Sequence, residues 1–245
     1  MQNLTLVLLL TVASGAAAQD EGAQMETVEV TGSRVSYRDL LDTPAIAIVK
    51  PGDYLVQKFT IFNDTRDALA RRREIHETIL AIVKSAGPSF KLQQGTLGAE
   101  FRATLDSDNY RLVDIDDDPK RPDSSLVTLF VRAELTEGSA SANTVIDGID
   151  ALLREAKGIG RSEIEPVDGA GLGMNKPERY RYELIAEIAR DSRKILDTMA
   201  LDCKFELEGL NTRIEWQRVS AGDLMLYIPY TMTISECRDR ANEAQ

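Results

Sequence analysis

The stretch DTRDALARRREIHETILAIVKSAG, Asp64 to Gly87, holds the single histidine of the chain, His76, close behind three consecutive arginines, Arg71 to Arg73. Imidazole titrates near neutral pH, and guanidinium groups recognise carboxylates and phosphates. Together they could supply a general acid–base group beside an anion site. On a helix, Arg71 follows Asp67 by four residues and Glu77 follows Arg73 by four, so two of the arginines have surface partners. Arg72 and His76 have none. They project one turn apart within a broad apolar arc of Ala68, Leu69, Ile75, Ile79, Leu80, Ile82, Val83 and Ala86. A structural reading makes Arg72 a snorkelling residue at a sheet edge and His76 a hydrogen-bonded core residue. A functional reading makes the two a buried cationic pair that binds a small ligand or anion, or tunes an active site. No second histidine and no cysteine cluster supports the functional reading.

Other chemistry is tested in turn. Asp114, Asp116 and Asp118 have the odd spacing of a calcium loop, but Pro119 stands where the loop needs glycine and Ser125 where it needs a bidentate glutamate. Gly169, Gly171 and Gly173 lack the spacing and the strand–turn–helix context of a dinucleotide loop. No GxSxG motif accompanies His76. Two cysteines without further ligands do not make a zinc site. No catalytic constellation emerges, so a non-enzymatic role without cofactor or metal is expected.

The elements that would position these residues follow from the whole chain. Residues 1–18 carry an apolar run, Leu4 to Val12, and an Ala16-x-Ala18 site, the layout of a cleaved signal peptide. Its removal takes away no Asp, Glu, Lys or Arg, so the net charge stays at −11. Forty acidic against 29 basic residues argue against nucleic acid, whose binding requires phosphate neutralisation. No later run is long enough to span a membrane. The expectation is a periplasmic protein of a Gram-negative bacterium, with residues 19–27 a loose leader and 28–238 one domain.

Along that domain, VEVTGSRV alternates as a strand, and Lys50-Pro51-Gly52-Asp53 splits AIAIV from YLVQKFTIF as a hairpin or sharp junction. The opening helix, capped by Asp64 or Thr65, ends at Gly87-Pro88. Strands are expected in SFKLQQGTL, AEFRATLD and SLVTLFVRAEL, a loop in DSDNYRLVDIDDDPKRPDSS, and extended chain in SEIEPVDGAGLGM. A second helix carries Val145, Ile146, Ile149, Leu152, Leu153 and Ala156 on one face. A third, opened near Pro177, has Leu184, Ile185, Ile188, Ala189, Ile195, Leu196 and Met199 on its buried side. The fold class is α+β: a mainly antiparallel sheet with about three helices packed on one face.

In an oxidising compartment, Cys203 and Cys237 are expected to form a disulfide. A three-stranded meander would hold them at opposite sheet ends. A long C-terminal β-hairpin, Lys204 to Val219 folding back at Ser220–Asp223, brings Cys237 opposite roughly residue 206. A bulge at Gly209-Leu210-Asn211 would then move the register toward Cys203.

The order of features resembles the SIMPL domain family of exported bacterial proteins. The resemblance runs from VEVTGSR through KPGDYLVQKFTIFND, AIVKSAG, SSLVTLFVRAEL and GIDALLREAKGIGRSEIEPV to NKPERYRYELIAEIARDSRKILDTMALDCKFELEGL. It implies an envelope-associated α+β protein, with oxidative-stress tolerance and ring assembly known among members, and no catalytic residues to carry over. The expected action is through a protein partner or self-association, including a homo-oligomer. The alternative is a small-ligand or anion binder, or an enzyme, using a pocket around Arg72 and His76. VEVTGSR also resembles the opening of the plug in TonB-dependent receptors, but no barrel-like strand repetition follows it.

Overall fold

The computed structural model describes residues 27–30, 45–95, 103–121, 123–136, 138–199 and 201–239. The expected signal peptide and most of the expected leader lie outside them. Strands β1 (Thr27–Val30), β3 (Tyr54–Asn63), β4 (Lys91–Gln94), β5 (Ala103–Leu105), β6 (Asp116–Asp117), β7 (Ser125–Glu134) and β8 (Ser162–Asn175) form the large sheet, in the order β1-β8-β3-β7-β4-β5 with β6 on β7. Strand β2 (Ile48–Pro51) joins β10 (Glu215–Arg218) and β11 (Asp223–Tyr227), while β9 (Leu201–Glu208) and β12 (Thr231–Asp239) make a separate ribbon. All these pairings are antiparallel. Among the described residues there are three α-helices: α1 (Ala68–Ala86), α2 (Ala142–Glu155) and α3 (Arg181–Thr198).

Strand β3 sits at the centre because its sequence is apolar in both alternating sets. Leu55, Phe59 and Ile61 face one side, where they join Ile75, Ile79 and Ile82 of α1, Ile149 and Leu153 of α2, and Leu184 and Ile188 of α3 in one core. Tyr54 and Val56 face the other side and cluster with Phe130. All three helices contribute to that one core, with α1 and α2 lying against β3. The expected junction at Gly52-Asp53 is a sharp turn between two sheets. Strand β2 pairs with β11, β3 with β7 and β8, and the Gly52 amide donates to the Gly222 carbonyl at 2.8 Å.

Several local expectations shift. The acidic loop contains β6, whose backbone pairs with β7, and a 3-10 turn, Tyr110–Leu112. In α3 the buried positions are Leu184, Ile188, Ser192 and Leu196, whereas Ile195 and Met199 are exposed. Ser192 stays inside because its hydroxyl donates to the Ile188 carbonyl at 2.8 Å.

One glycine of β8 has a packing role. Gly171 and Gly173 stand opposite Val56 and Tyr54. A Cβ on Gly173 would collide with the Tyr54 ring, whose centroid lies 3.5 Å from the Arg132 guanidinium carbon. Tyr54 thus lies between bare backbone and a cation, and Gly169, Gly171 and Gly173 all lie within strand β8 rather than in a strand–turn–helix loop. Nearby, the β3–β8 register shifts between Val56 and Lys58, and Gln57 fills the irregularity by donating to the carbonyls of Lys58, Val167 and Asp168 at 3.0, 3.0 and 2.8 Å.

The long C-terminal hairpin is present. Glu215 to Arg218 pair with Tyr227 to Leu224, then Gly209–Ile214 stand opposite only Ile228–Tyr230, and Glu208 resumes against Thr231. The expected bulge lies at that place. A second irregularity after Ser235 completes the alignment, and Cys203 and Cys237 are disulfide-bonded with Cα atoms 4.0 Å apart.

Gly173→Ala is expected to lower stability by about 1–3 kcal/mol, the usual cost of overpacking a closed core. Urea titration checks it: an unchanged midpoint would show that Tyr54 and Arg132 move aside freely.

Candidate functional site

Helix α1 begins one turn later than its sequence suggested. Asp67 is the N-cap, accepting from the Ala70 amide at 2.7 Å. The buried stripe is Arg71, Ile75, Thr78, Ile79, Ile82 and Ala86, at helical spacings of four, three, one, three and four. This corrects the sequence reading of the arginines. Arg71 is inside, and Arg72 is exposed. The physical reason lies in the arc. Leu69, counted as part of it, is 79% exposed, so the true buried face is narrower and rotated toward Arg71.

Among the described residues, Arg71 is held by a hydroxyl and by carbonyls rather than by a carboxylate. Its Nε donates to Ser125 Oγ at 2.8 Å, and its Nη1 donates to the carbonyls of Thr65 and Asp123 at 2.8 and 2.9 Å. One turn on, Glu74 Oε2 accepts from Asn63 Nδ2 at 2.9 Å, Thr65 Oγ1 at 2.7 Å and the Arg161 amide at 3.1 Å. These donors, Asn63 first, hold the carboxyl below the usual glutamate range. Asn63 also donates to Ser162 Oγ at 2.9 Å, and Thr78 bridges the Glu74 carbonyl and the Ile159 amide at 2.8 and 2.9 Å. Gly160, at φ 61°, has its missing side-chain position occupied by the Glu74 carboxylate. Asp64 and Arg161 close the outside with a two-point ion pair at 2.5 and 2.7 Å, which holds the Asp64 carboxyl down as well.

This is the most concentrated polar constellation among the described residues, and sequence reasoning missed it. Arg71 was legible only as a charged residue in phase with three isoleucines, and Asn63 as a polar residue closing a strand. Every named group is committed to a neighbour, so the chemistry performed is fastening. It ties the start of α1 to the end of β3, to the β6–β7 edge and to the turn that leads into β8.

His76 is half-buried, edge-on to Tyr110 with ring centroids 6.4 Å apart, and its Nε2 is buried with no hydrogen-bond partner among the described residues. Burial lowers its pKa; Arg111 and Arg72 add to that, while the Val113 carbonyl opposes it. The imidazole is therefore neutral at pH 7. Arg72 and His76 are thus a solvent-facing cation and a packed neutral ring, and they are not placed together as a buried cationic pair. Two open grooves lie elsewhere. One, of about 590 Å³, runs along Ala186, Ala189, Arg190, Arg193, Lys194 and Asp197 of α3. The other, of about 470 Å³, is lined by Asp150, Leu153, Arg154, Ala156, Ile164 and Pro166. Among the described residues no group of three or more His, Cys, Asp or Glu could hold a metal, and no helix is long and apolar enough to cross a membrane.

No protein-family model, curated protein or solved structure matches this chain.

Arg71→Met leaves the Thr65 and Asp123 carbonyls without their donor and is expected to cost about 1–3 kcal/mol. Arg72→Met, at an exposed position, should stay within about 0.5 kcal/mol. Paired denaturant titrations check the contrast, and equal losses would return the buried role to Arg72.

A lowered histidine pKa means that the unfolded chain takes up the proton first. Stability linked to His76 is present above the ordinary value of about 6.5 and declines as pH falls below it. Glu74 acts in a separate window, its contribution being lost only below the usual carboxylate range. Melting temperature followed from pH 8 to pH 5 should fall in the wild type and fall less in His76→Gln; parallel curves would refute the assignment.

Proposed function

We propose that this chain is an exported, periplasmic protein of the SIMPL type that works through protein–protein or self-assembly contacts rather than by catalysis, in envelope or oxidative-stress tolerance. The reading rests first on the order of elements in the sequence and the export signal. The structural observation that carries it furthest is the β9–β12 ribbon. Each of its strands pairs only with the other among the described residues, leaving two long backbone edges open.

Open edges are templates for another chain, and proteins that do not use them usually cover or blunt them. The outer face of the ribbon, Lys204, Glu206, Glu208, Thr231, Thr233 and Ser235, is exposed and mixed in charge. The inner residues Phe205, Leu207, Met232 and Ile234 are half-buried. Leu207 and Tyr230 tie the ribbon to the core, so it is anchored at one side and available at the others. A partner strand laid along either edge would gain main-chain hydrogen bonds, with side-chain contacts giving selectivity.

Light scattering on the mature protein is the test. The expected result is a species larger than the monomer, returned to the monomer mass by Thr231→Arg with Thr233→Arg at unchanged melting temperature. A wild-type chain that is monomeric and retains no partner after cross-linking in periplasm would sink the proposal.

A further inference from the structure

The cysteine pair occupies a particular place in the ribbon. Ser235 pairs with Lys204 and Arg238 with Asp202, so Glu236 and Cys237 together stand opposite Cys203 alone. That two-against-one arrangement is a β-bulge, and Glu236 carries it in the left-handed region at φ 49°. Cys237 is thereby out of step with the ladder and exposed, whereas Cys203 is half-buried on the inner face. Lys204 and Glu236 close over the bulge with an ion pair at 2.5 Å, both side chains largely exposed. The bond lies at the end of the ribbon remote from the Gly209–Ile214 loop, and a two-stranded ribbon is a marginal structure without other support.

We infer that the Cys203–Cys237 disulfide is an exchangeable bond and that Cys237 is its point of attack, a site of S-thiolation by low-molecular-weight thiols or a dithiol protein. An incoming thiolate forms a bond to Cys237 Sγ, the Cys237–Cys203 bond breaks, and Cys203 leaves as the thiolate. A second thiolate then attacks the sulfur of the bound thiol, releasing the external disulfide and the Cys237 thiolate. Two external thiols are oxidised, the protein disulfide gains two electrons, and the two thiol protons end on Cys203 and Cys237. Rates in such exchange depend on which sulfur is accessible and on the path open to the attacking sulfur. The bulge supplies both, since Cys237 has no ladder partner of its own. The inner contacts of Phe205, Leu207, Met232 and Ile234 lie nearer the loop, so opening is confined to the ribbon's end. The inference stands whether or not the ribbon is a surface for assembly.

The test treats the folded, oxidised mature chain with reduced glutathione without denaturant, quenches in acid at early times, alkylates, and reads the cysteine peptides by non-reducing mass spectrometry. Glutathione is expected on Cys237 at about tenfold or more over Cys203, following accessibility, with the melting transition of the remaining body intact. Glutathione on Cys203 at equal or higher level, or exchange only after denaturation, overturns the proposal. As a second reading, the thiol of Cys203→Ser should react with a charged thiol reagent about tenfold faster than that of Cys237→Ser. The reverse order also overturns it, and if either variant fails to fold the wild-type measurement decides alone.

Discussion

The ladder of β3 is the interaction on which the rest of the structure depends. Ten consecutive residues, Tyr54 to Asn63, pair with β7, and nine of them also pair with β8. A strand paired on both edges and apolar on both faces has no solvent-facing side, so the chain must cover each face separately. On one face this places the isoleucines of α1 and the leucines of α2 against Leu55, Phe59 and Ile61. On the other it demands the side-chain-free backbone of Gly173, because the Tyr54 ring takes the space there. Where the ladder is imperfect, Gln57 satisfies the carbonyls left over.

Arginines then join the ladder to the parts that cannot enter it. Arg71 donates to loop carbonyls at Thr65 and Asp123, Arg181 to Leu210 and Thr212, and Arg218 to Ala170, Ser220 and Ala221. A guanidinium offers five donors in a fixed plane, which suits carbonyls at turns and bulges that have no strand partner. Burial lowers the Arg218 pKa, and three carbonyls keep its donors occupied. In a chain of net charge −11, several cations therefore serve the interior while carboxylates dominate outside. Within the run Arg71 to Arg73 only Arg71 takes that inward role, Arg72 and Arg73 being exposed.

The ribbon follows a different rule. It leaves the core at the loop where Gly209–Ile214 outnumber Ile228–Tyr230, and Arg181 and Glu178 grip that loop through Leu210, Thr212 and the Ile214 amide. Helix α3 and the loop are thereby joined, while beyond Glu208 and Thr231 the backbones of the two strands pair only with each other among the described residues. The ribbon is thus anchored at its base, unpaired along both outer edges among the described residues, and tied covalently at its far end.

Much was legible because it is written locally. Apolar runs marked β3 and β7, alternation marked the strand from Leu224 to Ile234, helical spacing marked α1, α2 and α3, Gly87-Pro88 marked the end of α1, and an even cysteine count marked the disulfide. What needed the tertiary structure is whatever depends on a partner distant in sequence. A helix of mixed residues has a buried arc defined by what lies across from it, so Arg71 and Arg72 differ by one position and only the seat beneath α1 separates inside from outside. The same holds for Glu74, whose ligands Asn63 and Arg161 come from a strand and a turn 11 and 87 residues away. Periodicity is a property of neighbours along the chain; a polar clamp is a property of neighbours in space, and only packing brings those together.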